Sequence, residues 1–594
     1  MSEELQLNPA EAAAAEAWSK LQSHLKDGSS FVFEAGAGAG KTYSLIAALR
    51  HILADRAREL IRRHQQVACI TYTNVARDMI IAQTDGHPAI YCETTHAFAW
   101  FLISGFQKRL IELVPTLAGW QGRTDELANA ADDTAPSNPD APPTSGINAV
   151  GYALGRRSIE GRTAKLHHDD IFPLFIELMN STKFRNALTS RFPIILVDEY
   201  QDTNEEVVAA FKKHFLGKPG APQFGFFGDH WQKIYGDGCG SIQHASLKRV
   251  DKKANFRSAK PIVDCLNKIR PDLKQAPRDP DSTAVVRLFH TNAWIGTRRT
   301  GAHWGGDLPE PKAAAAFQAT KEALIAEGWD FKSDTKVLML THRALANELG
   351  YASMRDVFRF NDSFARKGND VIKYFHEHLE PAAKAFLGKR FGAMFHYIDT
   401  QRPVMKGPAD KARWSTVMSR LCELREAGTV GDVIVHLQNS GLPLLGEAVS
   451  RIENDLAMAK QGQEPLSDRL QELDKLHAVR YREIIALCEY LDGHSPFETK
   501  HGVKGDQFEN VLVVFGRGWS DYDFNAFLEM VGDPHRIAQE RDRYERYRNL
   551  FYVAVSRPKR RLALLFTQRL TPSAMTTLTN WFHGHPIQDL GSTL

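Results

Sequence analysis

The chain has 594 residues, 43% of them hydrophobic and 24% charged. This is ordinary globular usage, and it excludes a disordered chain, a collagen-like fibre and a small disulfide scaffold; at ~150 residues per domain the length admits about four structural units. Lys+Arg 74 against Asp+Glu 71 leaves a net charge of +3, which argues against a broad basic surface while leaving room for a narrow basic channel.

Six cysteines occur, with no CxxC pair and no His/Cys cluster at zinc-ligand spacing. Free thiols in a chain of this length predict a reducing, cytoplasmic setting. The first residues are acidic and polar, unlike a signal peptide, and no apolar run approaches ~18 residues, so no membrane partner is expected.

In chain order, Asn8 is placed to cap a first helix, Pro9 suits its first turn, and Ala12 to Ala15 propagate it. Apolar runs at Phe31–Phe33 and Val67–Ile70 predict buried strands, with helical stretches such as Ser44–Ala57 between them. Residues 124–147 carry Pro136, Pro139, Pro142 and Pro143 among small polar residues and predict a loop. Further strands are expected at Ile194–Val197 and Phe224–Phe227, then a second set at Val285–Phe289, Val337–Leu340, Val511–Phe515 and Leu562–Phe566. Between roughly Tyr351 and Leu491 the pattern is amphipathic helix, as in Ser467–Leu491 with Ser467 as N-cap. Alternation of strand, loop and helix predicts an α/β fold with mainly parallel sheets.

Two motifs carry chemistry. Residues 35–42 read AGAGAGKT between a strand and a helix. Backbone amides of such a loop (Ala35, Gly36, Ala37, Gly38, Ala39, Gly40) turn inward to cradle phosphates, Lys41 neutralises them, and Thr42 offers a hydroxyl to Mg²⁺. Residues 194–203 read IILVDEYQDT, a buried strand ending in two acids. Asp198 is suited to hold Mg²⁺ through water, and Glu199 to polarise an attacking water.

The ordered set of motifs resembles superfamily 1 DNA helicases of the UvrD/Rep type. AGAGAGKT is similar to that family's phosphate loop, TYTNVAR (71–77) to its TFTNKA segment, TTH (94–96) to the next DNA-contact segment, and DEYQDT to its acid motif. GDHWQKIY (228–235), NFRS (255–258), TKHGVKGDQF (499–508) and LFYVAVSRP (550–558) stand where the family has its later motifs. The resemblance implies two RecA-like P-loop domains, each with a largely helical insertion. The expected boundaries are 1–105 and 172–254 for the first domain, 106–171 for its insertion, 255–350 and 491–594 for the second domain, and 351–490 for the second insertion. It also implies ATP and Mg²⁺ in the cleft between the domains, with Arg257 and Arg557 as arginine fingers from the second domain and Gln232 as a γ-phosphate sensor. Adenine would lie on Phe256, with Tyr43 opposite. DNA contacts would come from Thr71, Tyr72, Thr73, Asn74, His96, Phe98, Tyr235, His501 and Lys504; for Phe98, core packing is an equally good reading.

Three departures bear on function. Glu11 replaces the glutamine of the family's LNxxQ motif and cannot offer the amide's paired donor and acceptor to adenine. Tyr235 is followed by GDGCG rather than a tryptophan-arginine-glycine segment, and Gln507 replaces a glutamate of the later motif. The implied activity is ATP-driven movement on single-stranded DNA, 3′→5′, with unwinding. The alternative is a DNA-stimulated ATPase or nucleotide-gated DNA sensor that does not unwind and works with a separate nuclease. Only 37 residues follow Arg557 (594 − 557), so any nuclease is expected on another chain. Short relatives of this type act in phage defence beside an OLD-family nuclease, as in Gabija systems; DNA repair is the rival role.

Overall fold

The computed structural model describes residues 7–123, 146–153, 157–233, 236–301, 303–339, 350–358, 364, 369–398, 407–463, 465–491, 497–499, 507–516 and 523–594. The chain forms two compact units. Unit 1 holds residues 1–285, 533–560 and 579–583, and unit 2 holds 286–532, 561–578 and 584–594. The motif order assigns 255–285 and 533–560 to the second RecA-like domain, whereas compactness groups them with the phosphate loop, for reasons found in the hydrogen bonds described below.

Unit 1 begins with α1 (Pro9–Asp27), whose start is a full capping box. Glu11 N donates to Asn8 Oδ1 at 2.9 Å and Asn8 N donates to Glu11 Oε2 at 3.2 Å. The Glu11 carboxylate is thus engaged at its own helix start. Next come β1 (Phe31–Ala35), α2 (Lys41–Arg62), β2 (Val67–Thr71), α3 (Asn74–Gln83) and β3 (Ile90–Thr94). Three short strands follow, β4 (Ala149–Tyr152), β5 (Ser158–Glu160) and β6 (Thr163–Leu166), then β7 (Ile194–Asp198), β8 (Gln223–Gly228), β9 (Lys248–Lys252), β10 (Ala254–Asn255) and β11 (Ala276–Pro277).

Six of these strands make a parallel sheet in the order β3-β2-β7-β8-β1-β9. Strands β1, β2, β7 and β8 are buried along their whole length, as their apolar runs require. Two apolar clusters form the core. One joins α1 and α2 to the sheet through Leu21, Leu45, Leu49 and Phe227; the other is built on Phe98, Phe175, Phe211 and Phe224. The expected first insertion, 106–171, combines the helix Gln107–Leu113 with the small sheet β4-β6-β5. Those strands lack the apolar runs that reveal strands in sequence, so only the helical part of that insertion was expected. The proline-rich stretch lies almost wholly outside the described residues.

Unit 2 contains β12 (Val285–His290), β13 (Thr335–Met339), β14 (Phe497–Thr499), β15 (Phe508–Phe515), β16 (Pro558–Phe566) and β17 (Ile587–Asp589), in sheet order β14-β13-β15-β16-β12-β17. The pairs β12–β17, β13–β14 and β13–β15 are parallel. The expected second insertion is mainly helical among its described residues, with Pro408–Ala427 and Glu447–Gly462 as its longest helices. The Ser467–Leu491 stretch divides into Asp468–His477, capped by Ser467, and Tyr481–Leu491. The break is fixed by Val430 N donating to Val479 O at 2.9 Å.

Inside this insertion Arg425 and Glu380 form a buried two-pronged ion pair, at 2.7 and 2.6 Å. Removing one partner strands the other charge away from water, so Glu380→Ala should cost about 3–5 kcal/mol in denaturant unfolding. The double change Glu380→Leu with Arg425→Met should cost less than either single truncation; simple additivity of the two losses would contradict the pairing.

Candidate functional site

The phosphate loop runs from the end of β1 to the start of α2. Gly38 and Gly40 both sit at φ +74°, a left-handed conformation that glycine adopts freely. Space adds a second constraint at Gly38, where a Cβ would lie 2.7 Å from Asn255 Oδ1. Gly40 is the N-cap of α2 and brings no side-chain cap, so the helix start keeps free amides and its positive dipole end. Lys41 and Thr42 occupy the first turn, and Lys41 Nζ lies 3.2 Å from Glu199 Oε2. A loop with inward-turning amides, a lysine and an open helix start fits the phosphates of a nucleotide.

Strand β7 delivers the acids. Asp198 is buried at its last position, and Glu199 follows at φ 46°, ψ 48°. A non-glycine residue in this region costs roughly 1–2 kcal/mol. Here Glu199 is held by Lys41 and by Gln201 Nε2, which donates to Glu199 Oε2 at 2.6 Å. The turn aims the Glu199 carboxylate at the lysine of the phosphate loop. Asp198 at the strand end and Thr42 at the helix start supply oxygen ligands of the kind Mg²⁺ takes.

A buried charge network stands behind these residues. Asp229, at the end of β8, has 0% exposure. Its carboxylate accepts from Gln232 Nε2 at 2.6 Å, from Trp231 N at 3.1 Å and from Arg270 Nη1 at 2.5 Å. Its backbone N donates to Gln201 Oε1 at 3.0 Å. Arg270 also reaches Glu34 Oε1 at 3.2 Å, and Glu34 accepts from Tyr200 Oη at 2.6 Å and from His230 N at 3.0 Å. Burial raises the Glu34 pKa, but the bonds and charges of His230, Arg270 and Tyr200 outweigh it and hold the carboxyl well below the ordinary glutamate value. Glu34, Asp229 and His230 lie close enough to share a metal ion. Arg270 already neutralises both carboxylates, so the cluster reads as an ion network.

The candidate fingers lie beside this network in unit 1. Arg557 is fully buried; its Nε donates to Val553 O at 2.8 Å and its Nη2 to Gln232 Oε1 at 3.3 Å. Arg257 Nη1 donates to Ser556 O at 2.9 Å. The NFRS segment is sewn to the phosphate loop: Phe256 N donates to Gly38 O at 2.9 Å, and Asn255 Nδ2 to Ala37 O at 3.2 Å. Ala37 N donates to Tyr552 Oη at 3.3 Å. These bonds explain why residues 255–285 and 533–560 group with unit 1. Tyr43 is 75% exposed and Phe256 is half-buried, so both rings keep accessible surface. Trp231 packs inside, edge-on to Tyr552 and with the Arg270 and Arg548 guanidiniums over its ring at 5.1 and 4.3 Å.

Sequence reasoning missed several participants. Glu34 did leave a signal, as an acid inside an otherwise apolar strand. Arg270, Gln275 and Lys252 left none. Gln275 Nε2 donates to Ala37 O at 3.0 Å. Lys252 is buried, donates to Ser44 Oγ at 2.8 Å, and lies 5.6 Å from the Phe256 ring centroid; burial pulls its pKa down to about 8.

The expected DNA track divides. Tyr72 is 40% exposed at the end of β2, next to exposed Thr73 and Asn74. Thr73 caps α3 by accepting from Ala76 N at 3.2 Å, and buried Thr71 donates to Thr73 O at 3.1 Å, shaping the turn. Phe98 must be corrected. It is 1% exposed and packs against Tyr91, Phe175 and Phe192, so its ring belongs to the core and presents no face to a base. His96 is stacked on His168, with ring centroids 3.4 Å apart, and lies tilted against Phe172 at 3.9 Å; burial, then His168, brings its pKa down to about 4. Tyr235, His501 and Lys504 lie outside the described residues.

The ion network gives a direct test. Arg270→Ala removes the cation shared by two buried carboxylates and should cost about 3–5 kcal/mol in unfolding free energy. Arg270→Lys should recover only part, because one ammonium cannot fork to two carboxylates. Since Glu34 titrates lower in the folded chain, its stabilisation is present above the ordinary glutamate pKa of about 4.3 and is lost as pH falls through the depressed value. Unfolding of the wild type and of Glu34→Gln across that acid range should converge; a constant difference would remove the carboxylate from this role.

Comparison with known proteins agrees with this site. Residues 148–243 match the UvrD/REP helicase N-terminal domain, a span that includes the acid motif and GDHWQKIY. The chain is also 23% identical to the Gabija protein GajB of Bacillus cereus (strain HuB5-5), over 91% of this chain and 93% of that protein. No helix among the described residues is long and apolar enough to cross a membrane. With the phosphate loop, the acid strand end and the buried glutamine–arginine pair in their places, the chain is similar to UvrD/Rep-type helicases, most directly over residues 148–243.

Proposed function

We propose that the chain is an ATP-driven motor on single-stranded DNA that moves 3′→5′ and separates tailed duplexes. The observation that carries this reading is the chain of bonds from Lys41 through Glu199, Gln201 and Asp229 to Gln232 and Arg557. It joins a phosphate lysine, a general base, a glutamine and an arginine in one connected set. Bound ATP with Mg²⁺ would supply the electrophilic γ-phosphoryl group. The phosphate-loop amides and Lys41 would bind its oxygens, Thr42 and Asp198 would hold the metal, and Glu199 would take the proton of the attacking water. Arg257 and Arg557 are the planar, permanently charged groups suited to a dispersed phosphoryl charge. Tyr43 and Phe256 hold the base between them. Tyr72, Thr73 and Asn74 begin the DNA track at the end of β2.

The domain boundaries expected from the motifs remain part of this proposal: two RecA-like domains, with the arms at 255–285 and 533–560 docked on the phosphate loop. The near-full-length similarity to the Gabija protein GajB supports a role in phage defence; a cytoplasmic setting and a separate nuclease subunit belong to the same proposal.

Glu199→Gln should preserve ATP binding and lower turnover by about 10²–10⁴-fold, the usual contribution of a positioned general base; retained turnover would remove Glu199 from that role. Tyr43→Ala should weaken nucleotide binding, and an unchanged affinity would end the two-ring base site. Unwinding of 3′-tailed but not 5′-tailed duplexes is expected, and the reverse preference would overturn the polarity.

A further inference from the structure

The loop from β12 to the helix Glu310–Ala326 takes no part in the nucleotide site, yet it is firmly built. Arg298 lies inside it, donating to Thr567 O at 2.9 Å, to Gly306 O at 3.2 Å and to Thr291 O. Arg299 N donates to Asp307 O at 2.9 Å and Gly306 N returns a bond to Arg299 O at 3.0 Å. Asn292 and Leu570 exchange two more, at 2.9 and 2.8 Å. Arg569 N donates to Gly306 O at 2.9 Å, tying a second segment to the loop.

On this base the loop displays rings and cations. The Arg299 guanidinium lies 3.6 Å from the Trp304 ring centroid, and Arg298 lies 5.6 Å from that of Trp294. Ile295 is 99% exposed, and Arg569 and His303 are exposed. No acidic residue occurs between Asp281 and Asp307. Of the neighbouring acids, Asp307 is buried, and Asp589 is engaged by Ala293 N at 2.9 Å and lies 3.3 Å from His290 Nδ1.

The loop also stands at the carboxyl ends of the strands. Thr291 follows β12 and donates to Thr567 O, after β16, at 3.2 Å; Thr567 N donates to Phe515 O, at the end of β15, at 3.0 Å. In open parallel sheets this edge is where ligands bind.

We propose that residues 291–301 and 303–306, with Arg569, form a contact for single-stranded nucleic acid in unit 2. A base continues the Arg299–Trp304 stack or lies on Trp294, while Arg299 and Arg569 hold the flanking phosphates. Aromatic rings and stacked guanidiniums accept any base, and cations beside them follow the backbone. This combination gives sequence-tolerant binding on a chain whose net charge is nearly neutral. The inference rests on the reading of the chain as a motor on single strands.

The test uses the full chain and a fluorescent oligo-dT strand. Trp304→Ala and Arg299→Ala should each weaken binding about tenfold, the scale of one lost stack. Arg569→Ala should reduce the slope of log K against log salt by about 0.7, the loss of one phosphate contact. Arg299→Lys should keep the salt slope and lose affinity, because an ammonium does not stack as a guanidinium does. ATP hydrolysis without DNA should be unchanged in all four. An oligonucleotide carrying 5-iodouracil should crosslink to a peptide from 291–306. Wild-type affinity in every variant, with crosslinks confined to other segments, would overturn the loop and leave the motor reading intact. No binding of the strand by the wild-type chain would overturn both.

Discussion

A carboxylate with no exposure to water has to be neutralised, and Asp229 sets the layout of the nucleotide site around that need. Its oxygens are shared by Arg270, Gln232 and a backbone amide, and its own amide fixes Gln201. Arg270 then carries the constraint to Glu34, the residue before the phosphate loop. Loss of any one partner leaves a desolvated charge, which costs far more than the hydrogen bond itself. The proposed catalytic groups are therefore anchored from behind. Glu199 is aimed by Gln201, and Gln232 is turned toward Arg557 by Asp229.

The same logic explains the two arms that pack on unit 1. Backbone groups of the phosphate loop that face no β-strand need partners. Asn255, Phe256, Gln275 and Tyr552 supply them through Ala37 and Gly38. Tyr552 and Asn255 bond the loop whose amides nucleotide phosphates would use, so binding and arm position share atoms. Unit 2 answers a different need. Its insertion buries a large apolar cluster from Tyr351 to Tyr490 together with the Arg425–Glu380 ion pair, while its sheet edge presents a loop of rings and arginines.

Much of this was legible in the sequence, and the particular failures are instructive. All eight expected strands coincide with observed ones, with Leu340 alone outside the described residues, because strands with mainly buried residues are written as mainly apolar runs. The strands that went unseen, such as Lys248–Lys252 and Ser158–Glu160, lie at sheet edges or in a small sheet and keep polar residues. The phosphate loop and acid pair were legible because their chemistry requires residue types at fixed spacing. Phe98 was not, since a phenylalanine beside a DNA motif reads the same whether its ring faces a base or the core. Arg270 and Lys252 were invisible for another reason: partners brought together by the fold, at sequence separations of 41 and 208 residues, leave no local pattern.

The central claim is that this connected site hydrolyses ATP in response to a bound strand. Steady-state ATPase of the full chain, with and without single-stranded DNA, tests it most directly. Hydrolysis that rises strongly with the strand and disappears in Lys41→Ala is the result expected from the geometry. Hydrolysis indifferent to the strand, or surviving without Lys41, would contradict it.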